Sequence, residues 1–120
     1  MKKILVVDDE IGVFMSIKMA LSGNCQVTPA YTGAEAIEQF KKERPDLILL
    51  DLRMPDIDGL DILHIIRKLD SNTPVIVITA YPEDLKDVSL DELNIISCFV
   101  KPFDLNELTK NINKIWGGER

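Results

Sequence analysis

Ile4-Leu5-Val6-Val7-Asp8-Asp9-Glu10 sets four consecutive apolar residues against three consecutive carboxylates. An apolar run of that length, with no polar residue alternating through it, suits a strand buried on both faces, as in a parallel sheet. The pattern recurs at Leu47-Ile48-Leu49-Leu50 before Asp51 and at Val75-Ile76-Val77-Ile78 before Thr79. It recurs again from Ile95-Ile96 through Phe99-Val100 before Lys101. Cys25-Gln26-Val27-Thr28 alternates instead and fits an edge strand.

Helical periodicity fills the gaps. Ile11, Phe14, Ile17 and Leu21 share one face, with Ser22-Gly23-Asn24 as a stop. Thr32-Gly33-Ala34-Glu35 reads as a capping box leading to Ala36, Ile37 and Phe40, and Pro45 ends that segment. Leu60, Leu63, Ile66 and Leu69 mark a third helix, closed by Ser71-Asn72-Thr73-Pro74. Pro82, Leu85 and Val88 predict a fourth, the weakest pattern. A last helix starts at Asp104-Leu105-Asn106-Glu107 and turns Leu105, Leu108, Ile112 and Ile115 to one side. Strands and helices alternate throughout, which predicts an α/β doubly wound parallel sheet with helices on both sides. No linker, repeat or low-complexity tract precedes the Gly117-Gly118-Glu119-Arg120 tail, so residues 1–120 read as one domain.

Composition narrows the function. Lys and Arg number 14 against 20 Asp and Glu, a formal net charge of −6. Such a chain lacks the clustered cations that nucleic acid requires. No apolar run approaches the roughly 20 residues of a membrane span, and Met1-Lys2-Lys3 leads into too short a run for a signal-peptide core. Cys25 and Cys98 form no CxxC and no Cys/His cluster, which argues against structural zinc. The chain reads as soluble and cytoplasmic.

All strands of a parallel sheet point one way, so the residues just past them gather along one edge, where ligands bind. Those residues are Asp8, Asp9 and Glu10, then Asp51, Thr79 and Lys101. Two carboxylates about 4 Å apart repel by about 4 kcal/mol at an effective dielectric of 20. Three at one mouth call for a cation, and hard oxygen donors suit Mg²⁺. Lys101 can hold a phosphoryl oxygen as a point charge, and Thr79 can donate to another. Asp51 then has the surroundings of a carboxylate nucleophile.

Val6-Val7-Asp8-Asp9-Glu10, Leu50-Asp51-Leu52-Arg53-Met54-Pro55 with Asp58-Gly59, Val77-Ile78-Thr79-Ala80 and Val100-Lys101-Pro102-Phe103-Asp104 occur in that order. Together, over essentially the whole chain, they resemble a bacterial two-component response-regulator receiver domain. The resemblance implies a flavodoxin-like (βα)5 sandwich with a five-stranded parallel sheet of order 2-1-3-4-5. It also implies a signalling switch that catalyses only its own phosphorylation and autodephosphorylation. Asp51 would accept a phosphoryl group from a sensor histidine kinase or a histidine phosphotransfer protein. Mg²⁺ would be held by Asp9 directly, by Asp8 through water, by Asp51 and by the backbone carbonyl of Arg53. Thr79 and Lys101 would contact the phosphoryl group, with Thr79 moving as the switch is thrown. A cis peptide before Pro102 is implied as well. The output partner, effector domain or second copy would meet the face made by the fourth helix, fifth strand and last helix.

Two positions depart from the family pattern. Cys98 stands where Tyr or Phe usually completes the switch with Thr79, and Asn94-Ile95 stands where Gly-Ala is common. Phe99 is adjacent, but on a strand it points to the opposite face. The expectation is that Cys98 weakens or re-routes the usual switch. A Cys25–Cys98 disulfide is not expected, because the family's strand order puts the two on opposite edges. The resemblance also implies that the lifetime of the acyl phosphate depends partly on the residues two past Asp51 and two past Thr79. Here these are Arg53 and Tyr81, both bulky, and the expectation is slow hydrolysis. Glu83, Asp84, Asp87, Asp91 and Glu92 surround a single Lys86 and read as a solvated acidic face. His64 reads as solvated and Trp116 as packing for the last helical turn.

Three other readings fit less well. An interaction module of the same fold that dispenses with phosphorylation would not need the full set of acids, Thr79 and Lys101. A phosphatase of the haloacid-dehalogenase type resembles DxD after its first strand, whereas Arg53 stands at that second position after Asp51. Flavin binding needs a Ser/Thr/Gly-rich phosphate loop, and Asp8-Asp9-Glu10 would repel the phosphate.

Overall fold

The computed structural model describes residues 1–21, 23 and 25–117. Ser22 and Asn24 of the expected helix stop, and Gly118-Glu119-Arg120 of the tail, lie outside the described residues. Five strands form one sheet: β1 (Lys2–Val7), β2 (Cys25–Ala30), β3 (Leu47–Asp51), β4 (Val75–Thr79) and β5 (Ile95–Val100). Their order is β2-β1-β3-β4-β5 and every pairing is parallel. The α-helices among the described residues are α1 (Ile11–Leu21), α2 (Gly33–Glu43), α3 (Gly59–Leu69) and α4 (Leu105–Ile115).

The unbroken apolar runs have a direct structural use. Successive side chains of a strand point to opposite faces, so each run feeds two cores. Leu5, Val7, Ile48, Leu50, Val75 and Val77 pack on one side with Ala36 and Phe40 of α2 and Ile62, Leu63 and Ile66 of α3. Ile4, Val6, Leu47, Leu49, Ile76 and Ile78 pack on the other with Phe14, Ile17, Leu108 and Ile112 of α1 and α4. Three residues of the expected helix faces stay out of these cores, and of them Ile37 is half-buried. Ile11 and Leu69 are exposed because each sits at the very end of its helix.

Local chemistry sets the helix starts. The Glu35 N–H donates to Thr32 Oγ1 at 3.1 Å, as a capping box requires. The reciprocal bond is shifted by one residue, since Glu35 Oε1 accepts from the Tyr31 N–H at 2.8 Å. Asp58 caps α3 through the Leu60 N–H, and Asp104 caps α4 through the Asn106 N–H, both at 2.8 Å.

The predicted fourth helix is not an α-helix. Pro82–Leu85 makes a single 3-10 turn, and turns continue to Asn94. Asp84, Asp87, Ser89 and Asp91 are poor helix formers, and Leu85 and Val88 supply only one turn of apolar spacing. Those two side chains and Leu93 still pack onto the α2/α3 side of the core.

The ladder between β4 and β5 carries a bulge. Val75 pairs with Ile95 but Ile76 pairs with Ser97, so Ile96 is the extra residue. Cys98 then lies beside Val77 and Phe99 beside Ile78. Phe99 packs with the α1/α4 core, opposite to the side of Cys98. Cys25 and Cys98, on the two edge strands, are both free thiols.

Candidate functional site

The carboxyl ends of β1, β3, β4 and β5 meet in an open cleft of about 980 Å³, lined by Asp9, Glu10, Asp51, Tyr81 and Lys101 among others. One local device repeats at three of these ends. The Glu10 N–H donates to Asp8 Oδ1 at 2.8 Å, the Arg53 N–H to Asp51 Oδ1 at 3.0 Å, and the Tyr81 N–H to Thr79 Oγ1 at 2.9 Å. Each side-chain oxygen thus accepts from the backbone two residues on, an Asx- or ST-type turn. For Asp8 and Asp51 this occupies one carboxylate oxygen and leaves the other toward Lys101.

Lys101 converges on three acids. Its Nζ lies 2.8 Å from Asp8 Oδ2, 2.7 Å from Glu10 Oε1 and 3.0 Å from Asp51 Oδ2. Asp8, Asp51 and Thr79 are buried, whereas Asp9 is exposed. Burial pushes the Asp8 carboxyl above the ordinary aspartate value, against the pull of the Lys101 ammonium and the Glu10 N–H. Burial draws the Lys101 ammonium down, but bonds to Asp8, Glu10 and Asp51 outweigh it and hold Lys101 above the ordinary lysine value. The peptide from Lys101 to Pro102 is cis, as the family resemblance implies.

The donor set fits a divalent cation. One carboxylate oxygen each from Asp8, Asp9 and Asp51 lie within 4.8 Å of one another. Asp8 Oδ2, although ion-paired with Lys101, is a buried oxygen with no aligned hydrogen-bond donor among the described residues. Hard oxygen ligands carrying more charge than one ammonium can offset are what Mg²⁺-class ions favour.

The loop between β3 and α3 is fastened at both ends. Asp56 accepts from the Gly33 and Ala34 N–H groups at 2.7 and 3.0 Å, tying the loop to the start of α2. The Gly59 N–H donates to the Leu52 carbonyl at 2.8 Å. A Cβ on Gly59 would press on the Leu52 backbone, so only glycine permits this approach. The Arg53 side chain leaves the loop toward the 82–85 turn. Its Nε and Nη2 contact Asp84 Oδ2 and Oδ1 at 3.0 and 3.1 Å, and its guanidinium stacks 3.7 Å from the centre of the Tyr81 ring.

Asp8, Asp9, Asp51, Thr79 and Lys101 are therefore neighbours, and Arg53 sits beside them through its bond to Asp51. Cys98 is elsewhere, exposed on the outer side of β5. Asp56 escapes the sequence reading, and Asp84 figures there only as part of a solvated acidic face, without its partner Arg53. Their partners are 22 to 31 residues away in the chain, and nothing local marks them.

A family model, the response regulator receiver domain, matches residues 4–113. The chain belongs to that family. Receiver domains are signalling switches of two-component systems, and this one shares the family's phosphorelay role. It is 37% identical over 114 residues to sporulation initiation phosphotransferase F of Bacillus subtilis, covering 94% of this chain and 92% of that one. It is 37% identical to the transcriptional regulatory protein TrcR of Mycobacterium tuberculosis, covering 92% of this chain but 43% of that protein. Among solved structures, response regulator TrrA of Thermotoga maritima, in complex with Mg(2+)-BeF, matches with a TM-score of 0.83. That match is 34% identical over 96% of this chain and 99% of that one. Among the described residues of the receiver domain, no helix is long and apolar enough to cross a membrane.

Proposed function

We propose that residues 1–120 act as one cytoplasmic receiver domain in which Asp51 accepts a phosphoryl group from a phosphohistidine. A carboxylate oxygen of Asp51 attacks phosphorus, the P–N bond to the donor imidazole breaks, and an acyl phosphate forms. The donor is a sensor histidine kinase or a histidine phosphotransfer protein. One observation carries the assignment. Among the strand-end acids Asp51 is the buried one that also lines the cleft, and it is bonded to the next loop through one oxygen and to Lys101 through the other.

Asp8, Asp9, Asp51 and the Arg53 carbonyl are the proposed Mg²⁺ ligands. When bound there, the metal offsets negative charge gathering on the transferred group. Lys101 is already positioned to exchange a carboxylate contact for a phosphoryl oxygen. Thr79 Oγ1 presently accepts from the Tyr81 N–H while its own proton is available to donate. Added charge and acceptor oxygens at Asp51 shift a two-state equilibrium toward an arrangement in which Thr79 and Lys101 meet them.

The output face is the outer side of β5, where Ile96, Cys98 and Val100 are exposed beside the acidic 83–92 segment. It suits a basic partner, an effector domain or a second copy, with a thiol at 98 re-routing the usual aromatic switch. Intact mass after incubation with Mg²⁺ and acetyl phosphate tests the chemistry. A Mg²⁺-dependent gain of one phosphoryl group, absent in Asp51→Ala, is the expected result. No gain by a folded wild-type chain overturns it.

A further inference from the structure

Arg53 is a long flexible cation two residues from Asp51, yet here it is held on two sides. The Asp84 carboxylate accepts from both Nε and Nη2 of Arg53, and the Arg53 Cζ lies over the Tyr81 ring, 3.7 Å from the ring centre. Paired fork contacts and a ring stack fix the plane of a guanidinium far better than a single contact. Arg53 and Tyr81 both line the cleft over Asp51, while Asp84 stands outside it on the 3-10 turn.

We propose that Asp84 is a positioning residue that locks Arg53 against Tyr81 as a screen over Asp51, and so sets the lifetime of the acyl phosphate. The inference rests on the assignment of Asp51 as the acceptor. Asp84 touches neither Asp51 nor the acidic cluster, and its effect runs through Arg53. Hydrolysis of the acyl phosphate needs a water to attack phosphorus while the P–O bond to Asp51 breaks. A screen held in one place restricts that water's approach. Releasing Arg53 opens the screen without altering the strand-end acids, Thr79 or Lys101. The acidic segment 83–92 is thus not uniform: Asp84 has an assigned partner across the cleft, which a solvated face would not require.

The test follows loss of the phosphoryl group by intact mass after acetyl phosphate is removed, with Mg²⁺ held constant. Asp84→Ala should take up phosphoryl as wild type does and lose it about threefold faster or more. Asp84→Glu, which keeps a carboxylate for the fork, should restore much of the lifetime. In an Arg53→Asn background, Asp84→Ala should produce no further acceleration. A merely structural role for Asp84 would give the same acceleration in both backgrounds and no rescue by Glu. Equal decay of Asp84→Ala and wild type overturns the proposal, as does an undiminished effect without Arg53. Failure of the wild type to take up phosphoryl at all overturns the Asp51 assignment instead, and the screen falls with it.

Discussion

Among the described residues Lys101 is the cation paired with the strand-end carboxylates, and its contacts with Asp8, Glu10 and Asp51 are at 3.0 Å or less. Removing one partner of a buried charge cluster leaves the rest uncompensated, at about 3 kcal/mol. Lys101→Met keeps the stem and removes the charge. Its thermal midpoint in chelated buffer should fall well below that of the wild type, and Mg²⁺ should recover most of the difference. A loss that Mg²⁺ leaves untouched would mean that Lys101 contributes packing rather than charge. The residues of this cluster were legible in the sequence for a physical reason. Each follows an apolar run that has to be a strand, and an abrupt change to a charged or hydroxyl residue marks the strand's end. Their pairwise bonds were not legible, because the choice of which oxygen faces Lys101 is made by the backbone N–H two residues on.

Among the elements, the β3–α3 loop depends on partners distant in the chain. Two backbone N–H groups at the start of α2 hold the Asp56 carboxyl below the ordinary aspartate value of 3.8, and burial opposes them only in part. A carboxylate with a depressed folded pKa stabilises the fold above its unfolded pKa, and that contribution fades as pH falls through the folded value. Wild type should therefore lose more stability than Asp56→Asn as pH drops below about 5, whereas near neutrality Asp56→Asn should be the less stable. Urea midpoints measured across that range check it; parallel curves would show that the tether contributes nothing through charge. A sequence shows carboxylates in plenty but does not show which of them caps a helix 22 residues upstream. The segment after β4 misled for a related reason. A proline followed by Leu85 and Val88 at helical spacing is a real signal, but it spans one turn, and four poor helix formers surround it.

Over the whole molecule, the two cores are unequal. The central strands β1, β3 and β4 bury both faces almost completely, whereas β5 is exposed at Ile96, Cys98 and Val100. Only a 3-10 turn and irregular chain cover the α2/α3 side at that edge. Regions with few buried contacts open at lower free energy than the core strands. Hydrogen exchange should therefore be slowest at amides of β1 and β3 and fastest, outside the termini, between Pro82 and Asn94. Uniform protection across β3, β5 and that segment would contradict this ordering. The extra residue at Ile96 has an effect beyond its own position. It changes the parity of the strand beyond it: in an unbulged ladder Cys98 would stand beside Ile78, facing inward, and Phe99 would face out. Drawing Ile96 into the ladder as a paired residue would exchange an accessible thiol for an accessible ring with no change in sequence, whereas deleting it would leave Cys98 beside Val77.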